Sequence, residues 1–332
     1  MISNNEFSNS IFNLDNLNFY YGLPNINTSF SIGANSPIET LNLAYYSDLD
    51  FIFLTDLNNN LIEEIKYSKH KKSKWFILND TTKRYLKKKD NFLALSGFSS
   101  HSLPYGDFAV LNSNSYFTGV INNYSLLLLW LSNNLGSQII ITNPTKELEF
   151  APFNSVFDNL ISSFNVCFGN KPKYFRREKH YFALLDKGYK IGAINSQFYF
   201  KKDSENITGI ISSKLNKEKI LLALKNRRTF SSESKSLKLL VTINENFMGD
   251  TIELMDENLS FRILCEDKFI KIIKIQIIST GGEIIRTIDN LNLHKIKYLF
   301  THKIKENQNW FLIKIFQESD RISISSPIFI KK

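Results

Sequence analysis

NFYYGLPNINTSFSIGANSPIET, residues 18–40, joins two kinds of local order across one polar loop. The run NFYYGL (18–23) is apolar and aromatic, as suits a strand buried on both faces. At the other end, Ser36-Pro37-Ile38-Glu39 supplies an N-cap serine, a first-turn proline and a glutamate at the third helical position. This is a capping box, and it predicts a helix over Pro37–Tyr46. Strand, loop and helix in that order form the first half of a β-α-β unit.

The same alternation continues outward. FIFLT (51–55), FLALSGF (92–98), DFAVLN (107–112), QIIIT (138–142), FNVCFG (164–169) and KIGAINS (190–196) are further buried-strand candidates. Helices are expected at 82–89, 124–134, 173–185 and 217–226. Alternation of this sort predicts parallel strands with right-handed crossovers. Seven strands favour an α/β fold closed into a distorted (β/α) barrel over an open sheet. After Lys235 the texture changes: SLKLLVTI, LSFRIL, FIKIIKIQII, KIKYLF, NWFLIKIF and RISISSPIFI follow one another with no convincing helix between them. We expect two domains, 1–235 an α/β barrel and 236–332 a C-terminal β-sandwich, with SSESKS (231–236) as the crossing.

Composition narrows the partners. With 332 residues, 43% of them hydrophobic, the chain has apolar surface for two cores. SLLLLWL (125–131) is too short to span a membrane and reads as a buried helix. The N-terminus lacks a secretory signal pattern, so the expected location is the cytoplasm, or the periplasm if a signal was removed. Cys167 and Cys265 lie in strand-like runs and are read as buried thiols. A net charge of +9 raises the question of an anionic ligand or nucleic acid. Lysine, asparagine and isoleucine are all plentiful, which A/T-rich coding also produces, so nucleic acid is not favoured on charge alone.

In a barrel of parallel strands, functional groups collect on the loops after the strands. Those positions hold Asn25, Asn27, Asp56, Leu57, Phe98, Asn143, Gln197 and Tyr199. Their order resembles the PHP (polymerase and histidinol phosphatase) family of metal-dependent phosphoesterases. The family's opening pattern, G-D-L-H-x-H-T-x-x-S-D-G, is matched in length by Gly22–Gly33, GLPNINTSFSIG, and in identity at Gly22, Thr28, Ser31 and Gly33. Its T-D-H is similar to Thr55-Asp56-Leu57, its G-x-E to Ser96-Gly97-Phe98, and its G-H-x-N segment to Gly106-Asp107-Phe108. Its H-P step is similar to Asn143-Pro144, and its S-D-x-H to Ser196-Gln197-Phe198-Tyr199. KILLALKNRRTFSS (219–232) and SSPIFI (325–330) resemble segments of bacterial members that carry an appended β-domain.

The resemblance implies a site of two or three divalent ions that activate water and clamp phosphate oxygens. Such ions need nitrogen, sulfur or anionic oxygen donors. The matching positions here are Asn25, Asn27, Leu57, Phe98, Asn143, Gln197 and Tyr199, while Leu23 and Ile32 stand where acids are expected. We therefore expect no metal cofactor, and a non-catalytic binding or scaffold protein on a phosphoesterase fold, a pseudoenzyme. One alternative is a divergent phosphoesterase using Asp56, Asp107 and His101, with one calcium or magnesium ion on the two carboxylates. Another is a polyanion-binding surface built from KYSKHKKSKW (66–75), KRYLKKKD (83–90) and KPKYFRREKH (171–180). That surface requires the three clusters to converge. Arg227 and Arg228 match an arginine region of the family, where loop anchoring and ligand contact are equally open. His70, His180, His294 and His302 match no ligand position, and a Cys167–histidine pair depends on the fold.

Overall fold

The computed structural model describes residue 14 and residues 17–331 except 90, 103–105, 171–172, 198–199 and 203. The chain starts with β1 (Phe19–Ile26), α1 (Pro37–Tyr46), β2 (Phe51–Leu54), α2 (Asn58–Leu61), β3 (Glu64–Tyr67), β4 (His70–Ser73) and α3 (Lys74–Leu86). It continues through β5 (Leu93–Ser102), β6 (Gly106–Leu111), α4 (Tyr124–Ser132), β7 (Gln138–Pro144), α5 (Lys146–Phe150), α6 (Ser155–Leu160) and β8 (Ile161–Asn170). Then come β9 (Lys173–Arg176), α7 (Glu178–Asp186), β10 (Gly192–Ser196), β11 (Ile207–Ile211), α8 (Lys217–Lys225) and β12 (Thr229–Ser232). The capping box forms as expected: Ser36 Oγ accepts from Glu39 N, and Glu39 Oε2 accepts from Ser36 N at 2.8 Å. α1 buries Pro37, Thr40, Leu41 and Ala44, one stripe at helical spacing.

The strands lie in the order β10-β8-β7-β6-β5-β2-β1-β11-β12. All seven expected runs are strands, but they are not all parallel. β6 is antiparallel to both β5 and β7. Only residues 103–105 separate β5 from β6, and a parallel crossover needs about a dozen residues. Among the described residues, ladders do not close these strands into a ring either. The edge of β10 away from β8 is held by side chains: Thr208 Oγ1 accepts from Asn195 N at 2.9 Å and donates to Asn195 O at 2.8 Å. Ser326 Oγ accepts from Ala193 N at 2.9 Å.

Three helix expectations need correction. The helix expected at 82–89 starts earlier, at Lys74, because Ser73 Oγ accepts from Phe76 N and caps it. The one expected at 173–185 divides, since Lys173–Arg176 pairs with β8 as a hairpin before α7 begins. The apolar helix α4 is buried on one side only, through Leu127 and Leu131, while Leu126 and Leu129 are exposed. Among the described residues no helix is long and apolar enough to cross a membrane.

The remaining chain is β13 (Lys238–Ile243), β14 (Asn246–Phe247), β15 (Thr251–Glu253), β16 (Asn258–Glu266), β17 (Ile272–Ser279) and β18 (Glu283–Ile288), then β19 (Lys295–Lys303), β20 (Trp310–Gln317), β21 (Arg321–Ser325) and β22 (Ile328–Lys331). Four strands, β14-β13-β16-β19, make a separate antiparallel sheet. Its Leu239, Val241, Phe261 and Ile263 share a core with Ile275, Ile277, Phe311 and Ile313 of β17 and β20. β21 pairs with β12, Phe230 against Ser325, so the large mixed sheet runs unbroken into the C-terminal half. Arg228 adds a tie, donating to Met248 O at 2.6 Å and to Asp250 Oδ1 at 2.7 Å.

Asp50, just ahead of β2, fixes the start of the first parallel pair: its Oδ2 accepts from Tyr21 N at 2.7 Å. Burial pushes its carboxyl up to about 6 from an ordinary 3.8, against the Tyr21 hydrogen bond. A carboxyl raised on folding is a net proton acceptor, so its ionisation weakens the native state as pH rises from 3.8 towards 6. A rise of that size corresponds to about 3 kcal/mol at most, and residual hydration reduces it to about 1–2 kcal/mol. Asp50→Asn keeps an acceptor for Tyr21 and cannot ionise. It is expected to be more stable than the parent by about 1–2 kcal/mol at pH 7, with no gain near pH 3, as urea unfolding at the two pH values will read.

Candidate functional site

The polar loop after β1 is shaped by the residues that match the family pattern. A Cβ on Gly22 would meet Phe51 O at 2.0 Å, and one on Gly33 would meet Asn27 O at 2.2 Å, so only glycine fits at either place. Gly33 N and Ser31 N both donate to Thr28 O, at 2.9 and 3.0 Å. Asp56, fully buried after β2, holds the same loop from the other side. Its Oδ1 accepts from Thr28 N at 2.7 Å and Ser31 Oγ at 2.6 Å, and its Oδ2 from Thr28 Oγ1 at 2.8 Å. Burial pushes its carboxyl above the ordinary value, against the hydrogen bonds from Ser31 and Thr28 and the charge of Lys74. Gly22, Thr28, Ser31, Gly33 and Asp56 are thus a self-contained loop scaffold.

The positions that the resemblance aligns with ligands have other partners. Asn25 Oδ1 accepts from Thr55 Oγ1 and, at 3.1 Å, from Ser99 Oγ, while Asn27 Nδ2 donates to Thr55 O at 2.7 Å. Leu57 caps α2 and bridges to Ser99. Phe98 is fully buried in an aromatic cluster, with ring centroids 5.1 Å from Phe117, 5.4 Å from Trp130, 6.4 Å from Trp75 and 6.5 Å from Tyr116. Gln197 Nε2 donates to Asn206 O at 2.8 Å and to Ser204 Oγ. Leu23 is in the core and Ile32 is exposed. Tyr199 lies outside the described residues.

His101, Asp107 and Asn143 are brought together. His101 faces Asp107 across the β5–β6 hairpin, Nδ1 to Oδ1 at 2.5 Å, and Asn143 Nδ2 donates to Asp107 Oδ2 at 3.0 Å. His101 is about half exposed. The buried Asp56 belongs to the first loop and has no contact with this trio. Chemically, the trio offers a solvent-facing imidazole oriented by a carboxylate, while the Asn25–Thr55–Ser99 group is a buried network of neutral hydrogen bonds.

The basic clusters converge only in part. Residues 66–75 form the β3–β4 hairpin and enter α3, and residues 83–89 finish α3, so these two share a surface. The third is on β9 and α7, where Lys173 and Lys179 are exposed but three other side chains are engaged by the protein itself. Arg176 pairs with buried Glu233, Arg177 donates to Thr142 O, and His180 contacts Glu149. Cys167 and Cys265 are free and buried, and Cys167 Sγ lies 3.5 Å from Glu233 Oε1. Arg227 donates to Gly249 O at 3.0 Å.

Sequence reading missed two places. One is the Arg176–Glu233 pair, whose charges are 57 positions apart and carry no local signal. The other is a groove at the opposite end of the strands, walled by α8 and the starts of β7 and β8. Among the described residues, no group of three or more His, Cys, Asp or Glu side chains is placed to hold a metal ion.

No known family's sequence profile matches the chain, and no curated protein does. Among solved structures, an engineered protein overlaps 29% of this chain and 20% of its own, at 9% identity and a TM-score of 0.21. A two-domain protein from Bacteroides vulgatus containing a predicted PHP-like metal-dependent phosphoesterase aligns over 92% of both chains, at 13% identity and a TM-score of 0.51. What this chain shares with it is the two-part PHP-like fold, a mixed α/β sheet followed by an antiparallel β-unit.

Proposed function

We propose that this chain is a PHP-fold protein that has lost the family's metal ligands and acts as a non-catalytic binding or scaffold protein. Its two units would meet near 235/236. Phe98 is the observation that carries the reading: at the position aligned with a ligand glutamate, an aromatic ring fills the interior among Trp75, Tyr116, Phe117 and Trp130. The rest of the donor set does not fit a metal pair. Leu57 offers no donor, the Asn25 amide oxygen already accepts from the Thr55 hydroxyl, and Asp56 is taken up by three hydrogen bonds. Two divalent ions would bring four positive charges to a place with little anionic compensation.

A second reading, a divergent hydrolase, is favoured by one observation: the solvent-facing His101–Asp107 pair. Metal analysis of protein purified without chelators, with assays on p-nitrophenyl phosphate and bis(p-nitrophenyl) phosphate, separates the two. The expected outcome is far less than one divalent ion per chain and no hydrolysis above buffer, with or without added Mn²⁺, Mg²⁺ or Zn²⁺. Stoichiometric metal with turnover abolished in Asp56→Ala would sink the non-catalytic reading. Turnover that survives chelation and disappears in a folded His101→Ala variant would move the activity to the exposed pair.

A further inference from the structure

The groove at the far end of the strands is independent of the fate of the metal end. It encloses about 1040 Å³, enough for a drug-sized or nucleotide-sized molecule. Its walls are the starts of β7 and β8, Lys190 ahead of β10, and the length of α8. Lys217 and Lys225 stand at the two ends of α8, about 12 Å apart at 1.5 Å per residue. Their amines have no acceptor among the described residues. Lys190 supplies a third cation. One Arg227 nitrogen, Nη1, reaches Lys190 O at 3.4 Å and Lys225 O at 3.3 Å, so those two lysines flank the same end.

Two carboxylates share the lining, Asp158 and Glu218, against four cations. Asp158 is engaged at Oδ1, which accepts from Lys190 N at 2.6 Å. Between the charged ends, the buried Ser137 Oγ and Gln138 Oε1 have no hydrogen-bond partner, although Gln138 Nε2 donates to Leu221 O at 2.9 Å. Buried polar atoms are nearly always satisfied. Both atoms are closed off from the free space of the groove, so it is the excess of cations along its walls that points to an occupant, one carrying negative charge.

We propose that this groove binds a nucleotide-sized organic phosphate. Its anionic group meets the Lys190–Lys225 end, and its body lies along Leu221 and Leu222 of α8. Lysine ammonium groups recognise phosphate as point charges, and the leucines of α8 give the body an apolar face.

Titration calorimetry on the full chain, with ADP and ribose 5-phosphate as probes and adenosine and inorganic phosphate as controls, tests this. At least one phosphorylated probe is expected to bind one to one, at least tenfold tighter than adenosine or inorganic phosphate, and more weakly as salt rises. Lys190→Gln with Lys225→Gln is expected to weaken that binding about tenfold and leave the melting temperature of the free protein unchanged. No binding of either probe at millimolar concentration would overturn the proposal, as would affinity unchanged in the double lysine variant. Inorganic phosphate binding as tightly as the organic probes would overturn it as well, since the body of the groove would then be unused.

Discussion

Phe98→Glu is expected to leave the protein largely unfolded at 25 °C, although it puts back the residue type that the PHP pattern has at this position. Phe98 is fully buried, and removing a buried phenylalanine ring costs about 3–5 kcal/mol from lost transfer energy and cavity formation. The glutamate would then bring a carboxylate among Trp75, Tyr116, Phe117 and Trp130, with no cation in the cluster to pair it. Together these approach the whole stability of a domain, about 5–15 kcal/mol. Urea titrations of the parent, Phe98→Leu, Phe98→Ala and Phe98→Glu should fall in that order of midpoint. A Phe98→Glu protein with the parent's midpoint and new affinity for divalent metal would mean that the interior at this position is open to a ligand, and would remove the main support for a non-catalytic protein.

Glu233→Ala is expected to destabilise the chain by about 2–3 kcal/mol, less than a fully buried ion pair loses, because the Arg176 side chain is about a third exposed. Glu233 is 1% exposed. It accepts from Arg176 Nε at 3.0 Å and Nη2 at 2.7 Å, and from Ile322 N at 2.9 Å. One carboxylate thus joins β9, the end of β12 and the start of β21, where the large sheet passes from one half of the chain to the other. The truncation leaves the Arg176 guanidinium with only Asp320 O and solvent, and bares the Ile322 amide. The double variant Arg176→Met with Glu233→Leu should recover much of the loss, because it replaces the pair with apolar volume rather than breaking it. If Glu233→Ala shifts the urea midpoint no more than an exposed-site control such as Glu245→Ala, the pair is not a strut between the halves.

Some of the molecule can be read from short stretches because its causes are local. The capping box of α1 lies within four consecutive residues, and its buried stripe repeats at helical spacing. The runs at 51–55, 138–142 and 164–169 are continuous enough to be buried strands in any arrangement. The antiparallel setting of β6 was also local information, carried by the three-residue link to β5. The expectation of an all-parallel set gave that link too little weight. β9 and the β3–β4 hairpin were hidden because lysine-rich runs suit an exposed helix face and an exposed ladder equally. β11 carries a weak sequence signal because NITGII is short and stands between polar segments.

The candidate site divides along the same line. Sequence alone showed that the first loop matches the family pattern in length and at Gly22, Thr28, Ser31 and Gly33; that no side chain fits at the two glycines, and that Asp56 closes the loop from 28 positions away, appears only in the fold. Sequence also determined which residue types stand at the ligand-aligned positions. Only the tertiary structure decided what surrounds them. Phe98 meets rings from α3, α4 and the segment before α4, Glu233 meets an arginine 57 positions away, and the groove is made by strand starts that α8 reaches only after folding. The physical reason is range. Backbone sterics and capping act within a few residues, whereas burial, ion pairing and cavity shape depend on segments whose separation along the chain says nothing about their separation in space.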